Sequence, residues 1–164
     1  MNNEQKTFMD KLSKCSLQDL EDINSLFIAS LALIKLAKHN KNTAIFSSVL
    51  SHTTAILSGL FGINYGLHND NKIFLLIWYI PVMLYFAQRG FDADKTTNVY
   101  KTELKDAITQ HQKLSTVLEK STPVQIHNIA TQYRSEIPKE NELDYMTTEN
   151  INRAIHYILM RHYR

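Results

Sequence analysis

His52 is the only readily ionisable side chain well inside a long uncharged run. From Asn42 to Asn69 the chain has 28 residues with no Asp, Glu, Lys or Arg. In lipid such a group is a functional candidate by default, because its burial is costly without a partner or a water-filled path. The ordinary alternative is a neutral imidazole bonded to a hydroxyl such as Ser48, one turn away. Along the same segment, Ser47, Ser51, Thr54, Ser58 and Gly62 fall within an arc of about 80° on a helical wheel. Ile45, Val49, Ile56, Leu60 and Ile63 take the opposite side. A hydroxyl strip turned from lipid can replace hydration without a fixed charge barrier, which is what lines a water-filled pore. Small residues also let helices approach closely, and Ala55-x-x-x-Gly59 and Ser58-x-x-x-Gly62 are pairs of that kind. His52 lies roughly 100° from Ser51, so a partner on the second span or a neighbouring subunit suits it better than a lumen.

Other reactive residues are scattered. The seven histidines include no pair at the i, i+4 spacing that zinc-binding helices use. Cys15 is alone, which leaves neither a disulfide nor a Cys-based zinc site within one chain. Asp92 and Asp94, two residues apart, diverge by about 200° on a helix and share neither proton nor metal; they read as a solvated helix start. No Gly-rich phosphate loop, nucleophile elbow or His-Glu-x-x-His is present. The reading is therefore not an enzyme, with no cofactor and no metal. Lys101 and Lys105, one turn apart, can meet a phosphate together, although Glu103 and Asp106 make a solvated mixed face the plainer account.

The elements that position these groups follow from hydropathy. The chain has 164 residues, 44% hydrophobic and 21% charged, with a formal net charge of +2. That is room for one domain and too little basic excess to grip double-stranded nucleic acid. The uncharged residues gather into two runs. Thr43–Tyr65 is 23 residues and Ile73–Gln88 is 16, against a hydrocarbon core about 30 Å thick. The second needs Lys72 and Arg89 to snorkel. A buried hairpin of a soluble protein is the competing reading. Residues 66–71 are polar and turn-forming, so the spans are antiparallel. Lys35, Lys38, Lys41, Arg89 and Lys95 outnumber Lys72, which puts both termini in the cytoplasm. The late start of the first apolar run excludes a signal peptide.

Around this hairpin the periodicity is helical. Ser16-Leu17-Gln18-Asp19 reads as a capping box before Leu17, Leu20, Ile23, Phe27, Leu31 and Ile34. A helix from about Asp94 to Glu119 carries Tyr100, Leu104, Ile108, His111, Leu114 and Leu118. Thr122, Pro123 and Gln125 open another, with Ile126, Ile129, Ala130 and Tyr133, which Pro138 closes. Thr147 or Thr148 starts the last, buried through Ile151, Ile155, Ile158, Leu159 and His162. Pro81 should bend the second span. The expectation is an all-α membrane protein: a two-helix transmembrane hairpin with a cytosolic cluster of N- and C-terminal helices. Residues 1–41 form the N-terminal amphipathic region, 42–89 the hairpin (spans about 43–65 and 72–89), and 90–164 the cytosolic helical region. The bulky Phe74, Trp78, Tyr79, Tyr85 and Phe86 put the second span toward lipid. A pore then needs several copies around an axis; about four to six first spans close a narrow ring, with a tetramer the working expectation.

This layout, followed by Tyr133, Ile137, Glu140, Asn141, Asp144 and Tyr145 in order, resembles the SLATT family of two-span bacterial effectors. Glu142 stands where that family has His. The residues themselves admit a plainer role, with Asn141 and Asp144 capping a turn and Tyr145 packing on the cytosolic cluster. The resemblance implies a homo-oligomeric pore-forming effector of anti-phage defence in the bacterial cytoplasmic membrane. It also implies control by a nucleotide or oligonucleotide messenger from a partner nucleotidyltransferase. The candidate donors to such an anion are Arg89, Lys101, Lys105, His111, Arg134 and Lys139. A non-conducting membrane anchor that recruits a soluble partner is the alternative, and it predicts a Ser/Thr strip facing the second span within one subunit.

Overall fold

The computed structural model describes residues 10–68, 72–136 and 148–163, with side-chain environments over 10–66, 78–135 and 151–163. Every described element is helical. After a helical turn at residues 10–12 come α1 (Leu17–His68), α2 (Lys72–Lys120), α3 (Pro123–Glu136) and α4 (Thr148–His162). Both long helices are longer than the sequence pattern implies. The N-terminal helix and the first apolar run are one helix of 52 residues. The second apolar run and the expected Asp94–Glu119 helix are one of 49, which passes through Pro81. No Gly or Pro interrupts residues 17–58 or 91–120, so the change from apolar to charged surface alters what each helix faces without ending it. Asp92 and Asp94 therefore do not start a helix.

Helix ends follow their caps. Ser16 Oγ accepts from the Asp19 N–H at 3.1 Å and opens α1. At α3 the box is reciprocal: Gln125 N–H donates to Thr122 Oγ1 at 3.3 Å, and Thr122 N–H donates to Gln125 Oε1 at 2.8 Å. Pro123 occupies the first helical position, where its missing N–H is harmless. Thr147 and Pro138 lie outside the described residues.

The chain divides into two compact units, one of Met1–Leu36 with Lys105–Arg164, the other of Ala37–Leu104. The first has a hydrophobic core of Leu26, Leu33, Leu114, Val117, Leu118, Ile129, Tyr133, Ile155, Ile158 and Leu159. Full burial of one such Leu or Ile contributes about 1.5–3 kcal/mol. The expected stripes on α3 and α4 are the observed ones. On α1 the buried face is turned: Leu26, Ser30 and Leu33 are buried, whereas Leu17 is 75% and Leu31 40% exposed. On α2, Ile108 is exposed and Leu114, Val117 and Leu118 carry the contact. Polar contacts pin α3 to the start of α1. Asp19, with its side chain 5% exposed, meets His127 Nδ1 at 3.0 Å and Arg134 at 3.7 Å. Arg134 also grips Asp22 through two nitrogens.

The second unit is an antiparallel helix pair with a seam of small residues. Ala37, Ala44, Ser48, Ser51 and Ala55 are buried on α1 at helical spacing. A Cβ built on Gly62 would lie 2.9 Å from Tyr79 Cβ, and one on Gly59 3.1 Å from Met83 Sδ. The approach at Gly62 leaves no room for a side chain, whereas at Gly59 the flexible Met83 tip would have to give way. Outside the seam α1 is apolar and exposed, with Phe46 at 69%, Ile56 at 63% and Phe61 at 64%. Among the described residues, α1 over Leu17–Gly66 is long and apolar enough to cross a membrane, and 22% of its most apolar stretch is buried within the chain.

Two outcomes follow from the first unit. Thr122→Ala should cost about 1 kcal/mol, read by thermal unfolding of the full chain in detergent. Hydrogen bonds from Ser16 and then His127 hold the Asp19 carboxyl below its usual range, against the opposing effect of burial. A depressed carboxyl stabilises the fold above its unfolded value, near 3.9, and that contribution is lost as pH falls through the folded value. The melting temperature should therefore drop below about pH 4, and Asp19→Asn should flatten that acid limb while lowering stability at pH 7. An unchanged limb in the variant would refute the assignment.

Candidate functional site

Ser48, His52 and Asp94 meet in the second unit. Ser48 and His52 are one turn apart on α1, and the antiparallel register sets Asp94 of α2 against both. Ser48 Oγ donates to Asp94 Oδ1 at 2.5 Å, and His52 Nε2 lies 3.1 Å from Asp94 Oδ2. Phe91 stands edge-on to the imidazole, with centroids 5.6 Å apart. Gly90 makes room for the ring, since a Cβ there would lie 2.6 Å from His52 Cε1. Bonds from Ser48, then His52, with the His52 and Lys101 charges behind them, hold the Asp94 carboxyl below the usual range. Partial desolvation opposes them.

This register relocates His52. The sequence places it well inside the first apolar run, but the pairs Gly62–Tyr79, Gly59–Met83 and Gly90–His52 set it beyond Gln88, the end of the second run. Residues 43–53 of the first run therefore lie beside the charged segment from Arg89 onward. The partner is on α2 but beyond the expected second span, and it is the carboxylate that the spacing of Asp92 and Asp94 left in solvent. The trio differs from a nucleophile–base–acid relay. The Ser48 proton is committed to the carboxylate, and among the described residues no contact joins Ser48 to His52. What the arrangement does is hold two helices in register with one carboxylate, one donor on each oxygen.

The hydroxyl strip is split by the same seam. The buried positions 37, 44, 48, 51, 55 and 62 centre about 50° from the strip on the wheel. Ser51 and Gly62 are buried, Thr54 and Ser58 half-buried, and Ser47 exposed. The Thr54 hydroxyl donates back to the Leu50 carbonyl at 2.8 Å. The outer flank continues into a groove of about 560 Å³ lined by His39, Thr43 and Ser47 from α1 and by Arg89, Asp92 and Thr96 from α2.

The expected anion donors are not gathered. Arg89 lines that groove and stacks over Tyr85 at 5.9 Å. Lys101 and Lys105 are exposed on α2. The His111 ring packs 4.5 Å from Phe27, with Nδ1 2.8 Å from Ser30 Oγ. Arg134 is committed to Asp22 and Asp19. Tyr133 is a core residue whose phenol burial, then the Asp22 charge, pushes upward in pKa. Lys139, Asn141, Asp144 and Tyr145 lie outside the described residues. Burial, then Asp19, also raises the Cys15 thiol, against Lys11. Among the described residues no three His, Cys, Asp or Glu side chains gather to hold a metal. Sequence reasoning missed Asp94, Gly90 and Gln132, the last a buried amide with neither polar atom bonded.

No protein family, curated protein or solved structure matches this chain.

Gly90→Ala should cost about 1–3 kcal/mol by overpacking against the imidazole. The defect should shrink in the Gly90→Ala/His52→Ala double variant, read as non-additive unfolding midpoints in detergent. Additive effects would show that the ring and Gly90 do not meet.

Proposed function

We propose that the chain is a two-span membrane protein that assembles into a homo-oligomeric pore. On this reading it acts as an effector at the bacterial cytoplasmic membrane, with both termini cytoplasmic and a nucleotide-type messenger as its control. The observation that carries the proposal is the hydroxyl flank of Ser47, Thr54 and Ser58, which stays outside the hairpin seam. It continues into the groove with Thr43, Arg89 and Asp92. The exposed belt of Phe46, Val49, Leu50, Ile56, Leu57, Leu60 and Phe61 supports lipid or subunit contact around it. In this form the lumen is lined by the flank, while Ser51 and Gly62 hold the hairpin. The exposed Trp78, Ile80 and Leu84 of α2 suit a lipid-facing position.

The burial of Ser51 and Gly62 favours a second reading, a non-conducting anchor that presents its cytosolic helices to a soluble partner. Planar-bilayer recording separates the two. A pore gives discrete currents from the purified full chain, and Ser58→Leu reduces the unit conductance at least several-fold in oligomers that still assemble. Ser51→Leu instead disrupts the hairpin and lowers thermal stability. Absence of current from intact wild-type oligomers, with and without nucleotides, would overturn the pore in favour of the anchor.

A further inference from the structure

Gln132 is 9% exposed, and neither its Nε2 nor its Oε1 has a hydrogen-bond partner. An amide in that state loses the full cost of its desolvation, so a native chain keeps one for a reason. It lines a cavity of about 420 Å³ between α3 and α4, entirely within the first unit. Asn128 lies one turn earlier on α3 and lines the same space, so an open amide stands one turn from the covered one, which a side-chain rotation brings to the cavity. Across from them α4 supplies the Tyr157 ring, 54% exposed, and one turn later Arg161. Arg161 makes no ion pair among the described residues. Arg161 and His162 also line an adjoining cavity of about 600 Å³, to which α2 adds Thr116 and Lys120. Cationic and hydrogen-bonding groups thus sit where the two spaces meet.

We propose that this pocket binds a nucleoside phosphate, with the base edge met by Gln132 and Asn128, a base face on Tyr157, and the phosphate held by Arg161, His162 and Lys120. The proposal deepens the messenger-controlled reading above by naming a site and a ligand class for it. Amides satisfy the paired donor and acceptor of a base edge. An exposed ring supplies a stacking face, and a guanidinium matches phosphate oxygens two at a time. The volume is that of a small-ligand site. None of these residues is among the donors picked out by charge alone, because the distinguishing group is neutral.

The test is isothermal titration of the full chain in detergent with ATP, GTP and inorganic phosphate. At least one nucleotide should bind saturably, and at least tenfold more tightly than phosphate. Gln132→Leu and Arg161→Ala should each weaken that binding tenfold or more. Gln132→Leu also serves as its own folding control, since an apolar side chain of similar size should keep or raise the unfolding temperature. Failure of both nucleotides to bind, binding equal to that of phosphate, or wild-type affinity in both variants would overturn the site. Saturable binding without current in bilayers would overturn the pore reading and leave the pocket standing.

Discussion

Two long helices lie together because glycine allows it. Any side chain at Gly62 would collide with Tyr79, and any at Gly90 with the His52 ring. The seam through Ala44, Ser48, Ser51 and Ala55 keeps α1 equally slim. On the proposed membrane reading no hydrophobic effect drives the two helices together, so close van der Waals contact and a few internal hydrogen bonds must do it. The large apolar residues of α1 in this unit, among them Ile56 and Leu60, lie on the outside. The same constraint fixes the register that brings Asp94 to Ser48 and His52, and it decides which hydroxyls remain outside.

The first unit is held differently. Its core is mainly Leu and Ile, with Val117 and Tyr133, drawn from all four helices, and Asp19 and Arg134 lock α3 at one edge. Aliphatic burial tolerates modest shifts, whereas the charged lock does not, so the lock specifies which turn of α3 meets α1. On the proposed membrane reading the contrast follows from solvent. Where water surrounds a helix cluster, burial supplies the driving force and polar pairs add direction. Where apolar residues face outward, packing shape has to do both.

Local signals in the sequence were legible wherever a few neighbouring residues decide the outcome. Ser16, and Thr122 with Pro123 and Gln125, mark helix starts through bonds made within one turn. The stripe through Ile126, Ile129 and Tyr133 needs no knowledge of what it meets. The continuity of α1 and α2 was not legible, because a helix runs across a change from charged to apolar surface without any residue marking it. The face of α1 was misjudged between Leu26 and Ile34, where apolar residues almost encircle the helix and the wheel has no polar side to set its phase. Asp94 was missed for a different reason. Its partners are 42 and 46 residues away, and only the hairpin register joins them.

That register also bears on how the polar trio can sit near a membrane. A carboxylate alone at the edge of the hydrocarbon would be driven outward to water or neutralised. Asp94 is 53% exposed and accepts one bond on each oxygen, so it keeps water on one side and protein donors on the other. Arg89 and Asp92 open onto the same level from the groove. If the bilayer ends near Gln88 on α2, residues 43–53 of α1 extend below it despite being apolar, and their exposed side chains need cover other than lipid. On the proposed oligomeric reading neighbouring copies of the hairpin supply it, since each presents the same belt.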